Sequence, residues 1–227
     1  YQNQQFKQIK IFFNKKLQMK EFISVANPFF SVVIPVYNKE PHVSRAITSV
    51  LNQSYSDYEL LIVCDPSTDN SNGEVEKFND SRIRVLHRKT PGPGGYAARN
   101  LGIQKAEGDW IALVDADDEW RENHLHCMSN LIFHYPYCHI LSCGWISCTL
   151  NSKKLQNYFL QRSDRGMHSI GLKDYLKSAT KGDRFCNSSV VVLRRRTVLK
   201  IGGFPVGLAD KGGDLYLWVK MLDAGLG

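Results

Sequence analysis

The sequence predicts an α/β fold with a mostly parallel, Rossmann-like central sheet flanked by helices. Three observations carry this reading. Short, almost unbroken apolar runs recur from residue 29 onward, helical stretches separate them, and polar or acidic residues close each run. Strands that are apolar along their whole length must be covered on both faces, which is the condition of a parallel sheet.

The elements follow in order. Phe29 to Val36 reads as a buried strand stopped at Tyr37-Asn38. A helix from about Pro41 to Gln53 turns Val43, Ile47, Val50 and Leu51 inward. Tyr58 to Cys64 is a second buried strand, and Ser67-Thr68-Asp69 offers caps for the next helix. Ile83 to Leu86 is a third strand, Tyr96 to Lys105 a helix, and Trp110 to Val114 a fourth strand. Beyond residue 120 the signal weakens. Leu125–His134 and Asp214–Ala224 read as helices, Cys138–Ile146 and Ser189–Leu193 as strands.

Residues 1–28 form a separate unit in this reading, and 29–227 the α/β domain. The opening segment places Phe6, Ile9, Phe13 and Leu17 on one helical face, ringed by lysines. Such a basic amphipathic helix suits a packing or linker role, with contact to an anionic membrane as the second reading for residues 1–26. The chain stops at Gly227 just after a helical pattern, as a piece of a longer protein would.

The formal charge is +7 over 227 residues, unevenly spread. Residues 31–150 carry ten basic and fifteen acidic groups, whereas residues 151–205 carry twelve against three. An acidic site facing a basic patch suits phosphorylated substrates held with a metal, although solvated mixed faces are the simpler reading and charge alone favours them. Nucleic acid is not the expected partner, because the basic residues are not interleaved with stacking aromatics. No apolar run is long enough to span a membrane. Six cysteines without a CxxC pair read as reduced cytosolic thiols, and the His/Cys spacings match no structural zinc pattern.

In open parallel sheets the ligand sits beyond the C-terminal strand ends. The residues there are Tyr37-Asn38, Cys64-Asp65 and Asp115-Ala116-Asp117-Asp118. Three carboxylates on one strand end repel each other unless a hard divalent cation offsets them, its coordination completed by substrate phosphates. An exposed acidic turn capping the next helix is the plainer alternative. Trp120, Trp145 and Trp218 read as core aromatics before sugar-stacking ones. The loop Pro91–Gly95 lacks the spacing of a phosphate-binding fingerprint and reads as a turn beside the ligand.

Six segments then appear in a fixed order. They are SVVIPVYNKE (31–40), SVLNQSYSDYELLIVCDPSTDNS (49–71), ARNLGI (98–103), GDWIALVDADDEW (108–120), GGFP (202–205) and GGDLYLWVKMLDAG (212–225). Together they resemble the inverting family 2 glycosyltransferases of the GT-A fold, from about Ser31 to Gly225. The resemblance implies transfer of a hexosyl or N-acetylhexosaminyl group from a nucleoside-diphosphate sugar, UDP-linked, to a carbohydrate or lipid-linked carbohydrate acceptor in polysaccharide biosynthesis. It also implies a Mn²⁺ or Mg²⁺ cofactor and a cytoplasmic location, at most peripheral on a membrane.

Residue by residue, it implies that Pro35, Tyr37 and Asn38 line the nucleotide, together with Asp65. The family's preceding aspartate is here Cys64. Arg99 is expected beside the nucleotide, Asp115 near the ribose and Asp117 on the metal. The general base is expected at Asp214, in a Glu-Asp pair whose glutamate position holds Gly213. Without the resemblance, Asp214 reads as a helix N-cap. The rival readings are a sugar-nucleotidyltransferase and a non-catalytic sugar-nucleotide-binding domain.

Overall fold

The computed structural model describes residues 29–149, 152–156, 166–182, 185–208 and 211–225. The expected amphipathic helix of residues 1–26, and the boundary at residue 28, lie outside them. The strands are β1 (Phe30–Val36), β2 (Tyr58–Cys64), β3 (Ile83–His87), β4 (Trp110–Leu113), β5 (Ile140–Ser142), β6 (Trp145–Thr149), β7 (Ser152–Gln156) and β8 (Val191–Arg194). The helices are α1 (Val43–Leu51), α2 (Ser71–Glu76), α3 (Tyr96–Lys105), α4 (His124–His134), α5 (Leu172–Ala179), α6 (Arg195–Lys200) and α7 (Gly213–Ala224).

The main sheet runs β3-β2-β1-β4-β8-β5. Its first four strands are parallel, and β8 lies antiparallel between β4 and β5. The chain winds from β1 through β2 to β3, then returns to place β4 on the opposite side of β1. The order therefore reverses between β1 and β4, and the crevice above their C-terminal ends is where such a sheet takes its ligand.

Alternate side chains of each strand feed two cores. Val32, Ile34, Leu60, Ile62 and Ala112 pack beneath α1 and α4. Val33, Leu61, Val63, Ile111 and Leu113 pack against α3, α6 and α7. Helix α3 approaches the sheet so closely that a Cβ on Gly102 would lie 2.4 Å from Val33 Cγ1. Buried Glu59 at the far end of the sheet is satisfied, since Ser31 Oγ, the Glu107 N–H and Arg84 all donate to it at 2.6 Å. Polar groups buried this way keep their hydrogen bonds.

Several expectations change in detail. The single strand expected over Cys138–Ile146 divides at Cys143-Gly144 into β5 and β6, which belong to different sheets. The strand expected from Ser189 begins at Val191, because the Asn187 side chain accepts the Ser189 N–H and closes a turn there. Strand β3 is an edge strand and only partly buried, so its cover is one-sided. The N-cap of α2 is Asn70, one residue past the expected Ser67-Thr68-Asp69, and it makes no side-chain cap bond; the expected Asp69 instead accepts the N–H and hydroxyl of Ser71 through Oδ1. Trp120 and Trp218 are core residues, as read from the sequence.

Candidate active site

Beyond β1 the chain bends sharply. Asn38 takes a left-handed backbone (φ 51°), which Asn tolerates better than most residues. Its Oδ1 accepts the Thr68 N–H at 2.8 Å, and its own N–H donates to Ser67 Oγ at 3.1 Å. The loops after β1 and β2 are thereby latched together. Next door, the Glu40 N–H donates to Asp69 while Glu40 Oε2 accepts the Asn70 N–H. Half-buried Pro35 precedes this bend, and the Tyr37 ring stands exposed at it.

At the end of β2, Cys64 is core rather than site. Its thiol is buried and pushed up to about 11 by burial first, then by the charges of Asp65 and Glu76. Asp65 is only 2% exposed, and its carboxylate is held by Arg88 Nη1 at 2.6 Å. Arg88 was not among the residues expected from the sequence. The available signal was its position just past the end of β3, where a strand-end polar residue faces the same crevice.

The acidic turn after β4 is organised from three directions. Arg99 Nη2 donates to Asp115 Oδ1, and Arg99 Nη1 donates to the Gly94 carbonyl at 2.6 Å. Lys39 Nζ lies 2.5 Å from Asp117 Oδ2, while Arg45 Nη2 donates to the Asp117 carbonyl at 2.9 Å. Ser189 Oγ accepts the Asp115 N–H at 3.0 Å and donates to Asp118 Oδ2 at 2.5 Å. Burial pushes the Asp117 carboxyl up, but the hydrogen bond and charge of Lys39 outweigh it and hold the group below its ordinary value. Asp118 moves the other way. Burial raises it, with Asp115 and Asp117 adding repulsion against the Ser189 hydrogen bond.

Asp214 reaches this cluster from the first turn of α7. It is not the N-cap, a position held by Gly212 (φ 76°) without any side-chain cap bond. Asp214 Oδ1 is buried without a hydrogen-bond partner. Burial raises its carboxyl above the ordinary value; Arg99 opposes the shift, Asp115 adds to it, and a Ser188 hydrogen bond lowers it. The structure thus brings Asp115, Asp117, Asp118, Arg99 and Asp214 to one place. Asp65 stands apart with Arg88. Arg99 itself is buried under the Phe204 ring, 5.6 Å from its centroid, and serves the two aspartates as shared counterion.

Among the described residues, no three His, Cys, Asp or Glu side chains converge closely enough to hold a metal ion by themselves. The carboxylate of Asp117 is nevertheless a cation site, since an ammonium already sits on it. A single carboxylate of this kind fits a divalent ion whose remaining oxygens come from elsewhere.

A parallel sheet reversing between β1 and β4, with an acidic turn on β4 and a carboxylate delivered by a later helix, defines a GT-A-type nucleotide-sugar-dependent transferase. The Glycosyl transferase family 2 model matches residues 31–202, and the chain belongs to that family. It is 31% identical over 198 residues to UDP-Glc:alpha-D-GlcNAc-diphosphoundecaprenol beta-1,3-glucosyltransferase WfgD of Escherichia coli, covering 85% of this chain and 69% of that one. It is 41% identical over 95 residues to glycosyltransferase GlyG of Streptococcus pneumoniae, covering 41% of this chain but only 31% of the relative. The fold superposes on residues 1–349 of Staphylococcus aureus TarS in complex with UDP, with TM-score 0.71 and 22% identity over 86% of this chain and 55% of that one. It also matches the mannosyltransferase PcManGT of Pyrobaculum calidifontis in complex with GDP-Man and Mn²⁺, with TM-score 0.58 and 18% identity, over 86% of this chain and 52% of that one.

Proposed function

We propose that this chain transfers a sugar from a UDP-sugar to a carbohydrate or lipid-linked carbohydrate acceptor by single displacement with inversion. The observation that carries the reading is Asp214: a carboxylate with a raised pKa and an unpartnered buried oxygen, set beside the acidic strand end. A general base works best when its pKa lies nearer the operating pH than an ordinary carboxylate's. With one such base opposite the donor, attack from the far face needs no second, nucleophilic carboxylate.

In this reading Pro35, Tyr37, Asn38 and Asp65 line the nucleotide, with Arg88 fixing the Asp65 carboxylate. Asp115, held by Arg99, sits toward the ribose. Asp117 is the residue that would hold Mn²⁺ or Mg²⁺, exchanging the Lys39 ammonium for it. When bound, the ion supplies positive charge to the leaving diphosphate. The UDP and lipid-linked assignments draw on what the WfgD and TarS descriptions name. A lipid-linked acceptor would bring the basic segment 1–26 to the cytoplasmic face of a membrane, a peripheral contact. Among the described residues, no helix is long and apolar enough to cross one.

The test is a panel of nucleoside-diphosphate sugars with Mn²⁺, read first as thermal stabilisation and then as transfer to a GlcNAc-diphospholipid. Release of UDP with a product of opposite anomeric configuration supports the reading. Pyrophosphate release would instead identify a nucleotidyltransferase, and binding without turnover a non-catalytic domain. Retained configuration would exclude single displacement.

A further inference from the structure

We infer that Tyr96 is the positioning residue for Asp214, taking over the space that opens where Gly213 replaces an acidic side chain. The inference rests on the reading of Asp214 as the base.

Tyr96 is the first residue of α3, 117 positions before the helix it supports. Its hydroxyl accepts the Gly213 N–H at 3.0 Å. Gly213 opens α7, and the first N–H groups of a helix have no partner within it. Helix α7 also lacks a side-chain cap from its own N-cap residue, Gly212. The phenol of Tyr96 therefore does from another element what a local cap does elsewhere.

The ring occupies space that two glycines leave open. A Cβ on Gly213 would lie 2.5 Å from Tyr96 Cζ, and one on Gly94 would lie 2.8 Å from the same atom. Both glycines are thus required by the same ring, Gly94 additionally by its left-handed backbone (φ 62°). The Tyr96 ring also stacks on Phe204 at 5.6 Å and 8°, and Phe204 meets Trp218 edge-on at 6.1 Å. Trp218 lies one helical turn after Asp214. The first turn of α7 is consequently held at its start by the Tyr96 hydroxyl and one turn on by the aromatic stack, with Asp214 between the two. The Gly94 carbonyl also accepts a hydrogen bond from Arg99, the counterion shared by Asp115 and Asp214. One ring thereby ties the glycine turn, the counterion and the base into a single unit.

Positioning within a fraction of an ångström governs such a step more than binding does. Tyr96→Phe, which adds no atom but leaves the Gly213 N–H without its acceptor, should lower kcat roughly five- to tenfold with the KM values for donor and acceptor nearly unchanged, and should lower the melting temperature by a few degrees, as loss of a helix cap does. Gly213→Ala should be worse, and Gly213→Ala with Tyr96→Ser should recover part of the lost rate, because removing the ring relieves the contact. The cycle is completed with Asp214→Asn, using the UDP-sugar and acceptor pair found by the screen above. Where Asp214 is the base, Tyr96→Phe should cost nothing further in the Asn background. If Asp214→Asn is inactive while Tyr96→Phe and Gly213→Ala both transfer at the wild-type rate, the positioning role is overturned and the base stands. If Asp214→Asn transfers normally, the base reading itself fails, whatever the Tyr96 variants do.

Discussion

Lys39 sets its ammonium 2.5 Å from a carboxylate oxygen of Asp117, bridging two strand ends that are 78 positions apart in the chain. Both side chains are partly exposed, so the pair itself contributes little to stability. Its importance is competitive, because the cation on Asp117 must leave before a metal can bind. Lys39→Met should therefore tighten binding of free Mn²⁺ about two- to fivefold, since an exposed pair is worth ~0–1 kcal/mol. Asp117→Ala should weaken Mn²⁺ binding and remove the metal dependence of donor binding. Titration by electron paramagnetic resonance, with calorimetry of the donor with and without chelator, reads both. Undiminished donor affinity of Asp117→Ala under both conditions would remove it from the metal site.

Gly102 reports on the fold rather than the site. The Cβ of Gly102→Ala would press into Val33, whose branched side chain is fully buried under α3 on the central strand β1. Overpacking of this kind costs about 1–3 kcal/mol, more than the helix propensity gained from Ala returns. The melting temperature should drop by about 2–4 °C per kcal/mol in a domain of this size. Donor affinity measured at low temperature should be unchanged, because Gly102 lies two turns below the crevice. A variant melting at or above wild type would mean that α3 can ride outward freely.

The domain should fold without residues 1–26. Strand β1 starts at Phe30, and its neighbours β2 and β4 together cover both its edges. Deleting the segment should leave the melting temperature within a degree or two, and should lower binding to anionic vesicles if the segment is a membrane contact. Loss of the cooperative transition on deletion would make that segment part of the core.

What the sequence disclosed was local in character. Strand β2 and helix α3 match their expected bounds because an apolar run closed by Asp65, and a periodic run opened by the glycine turn, declare themselves within a few residues. The split of Cys138–Ile146 was hidden, because alternation cannot say which sheet a strand will join. The carboxylates of the site were legible for the same reason as the strands: each ends or opens an element. Their partners were not. Lys39, Arg88 and Ser189 reach carboxylates 78, 23 and 71 positions away, and Tyr96 reaches Gly213, beside Asp214, across 117. Arg99 was expected beside the nucleotide, offsetting phosphate or carboxylate charge; the carboxylate it meets is Asp115, and burial with the Gly94 carbonyl fixes it there.

Asp214 separates activity from stability. Its carboxyl is raised by burial, with Asp115 adding and with Arg99 and Ser188 opposing, so the folded chain holds this proton more tightly than the unfolded chain. A group of that sign favours the folded state at low pH, and the advantage disappears as pH rises through the unfolded and then the folded value. At neutral pH the charged form is therefore a burden on the fold. The nearly isosteric Asp214→Asn should melt no lower than wild type there, and the difference between the two should shrink on acidification. Transfer should behave oppositely. The acceptor proton is taken only by the charged form, so the acid limb of kcat should lie above the ordinary aspartate value of ~3.9. Asp214→Asn should lose that limb and at least about two orders of magnitude in rate, with donor affinity nearly intact. Melting curves across pH, donor calorimetry and the rate profile on the same variant check all three. A variant that is destabilised at neutral pH yet transfers normally would make Asp214 a structural residue of α7.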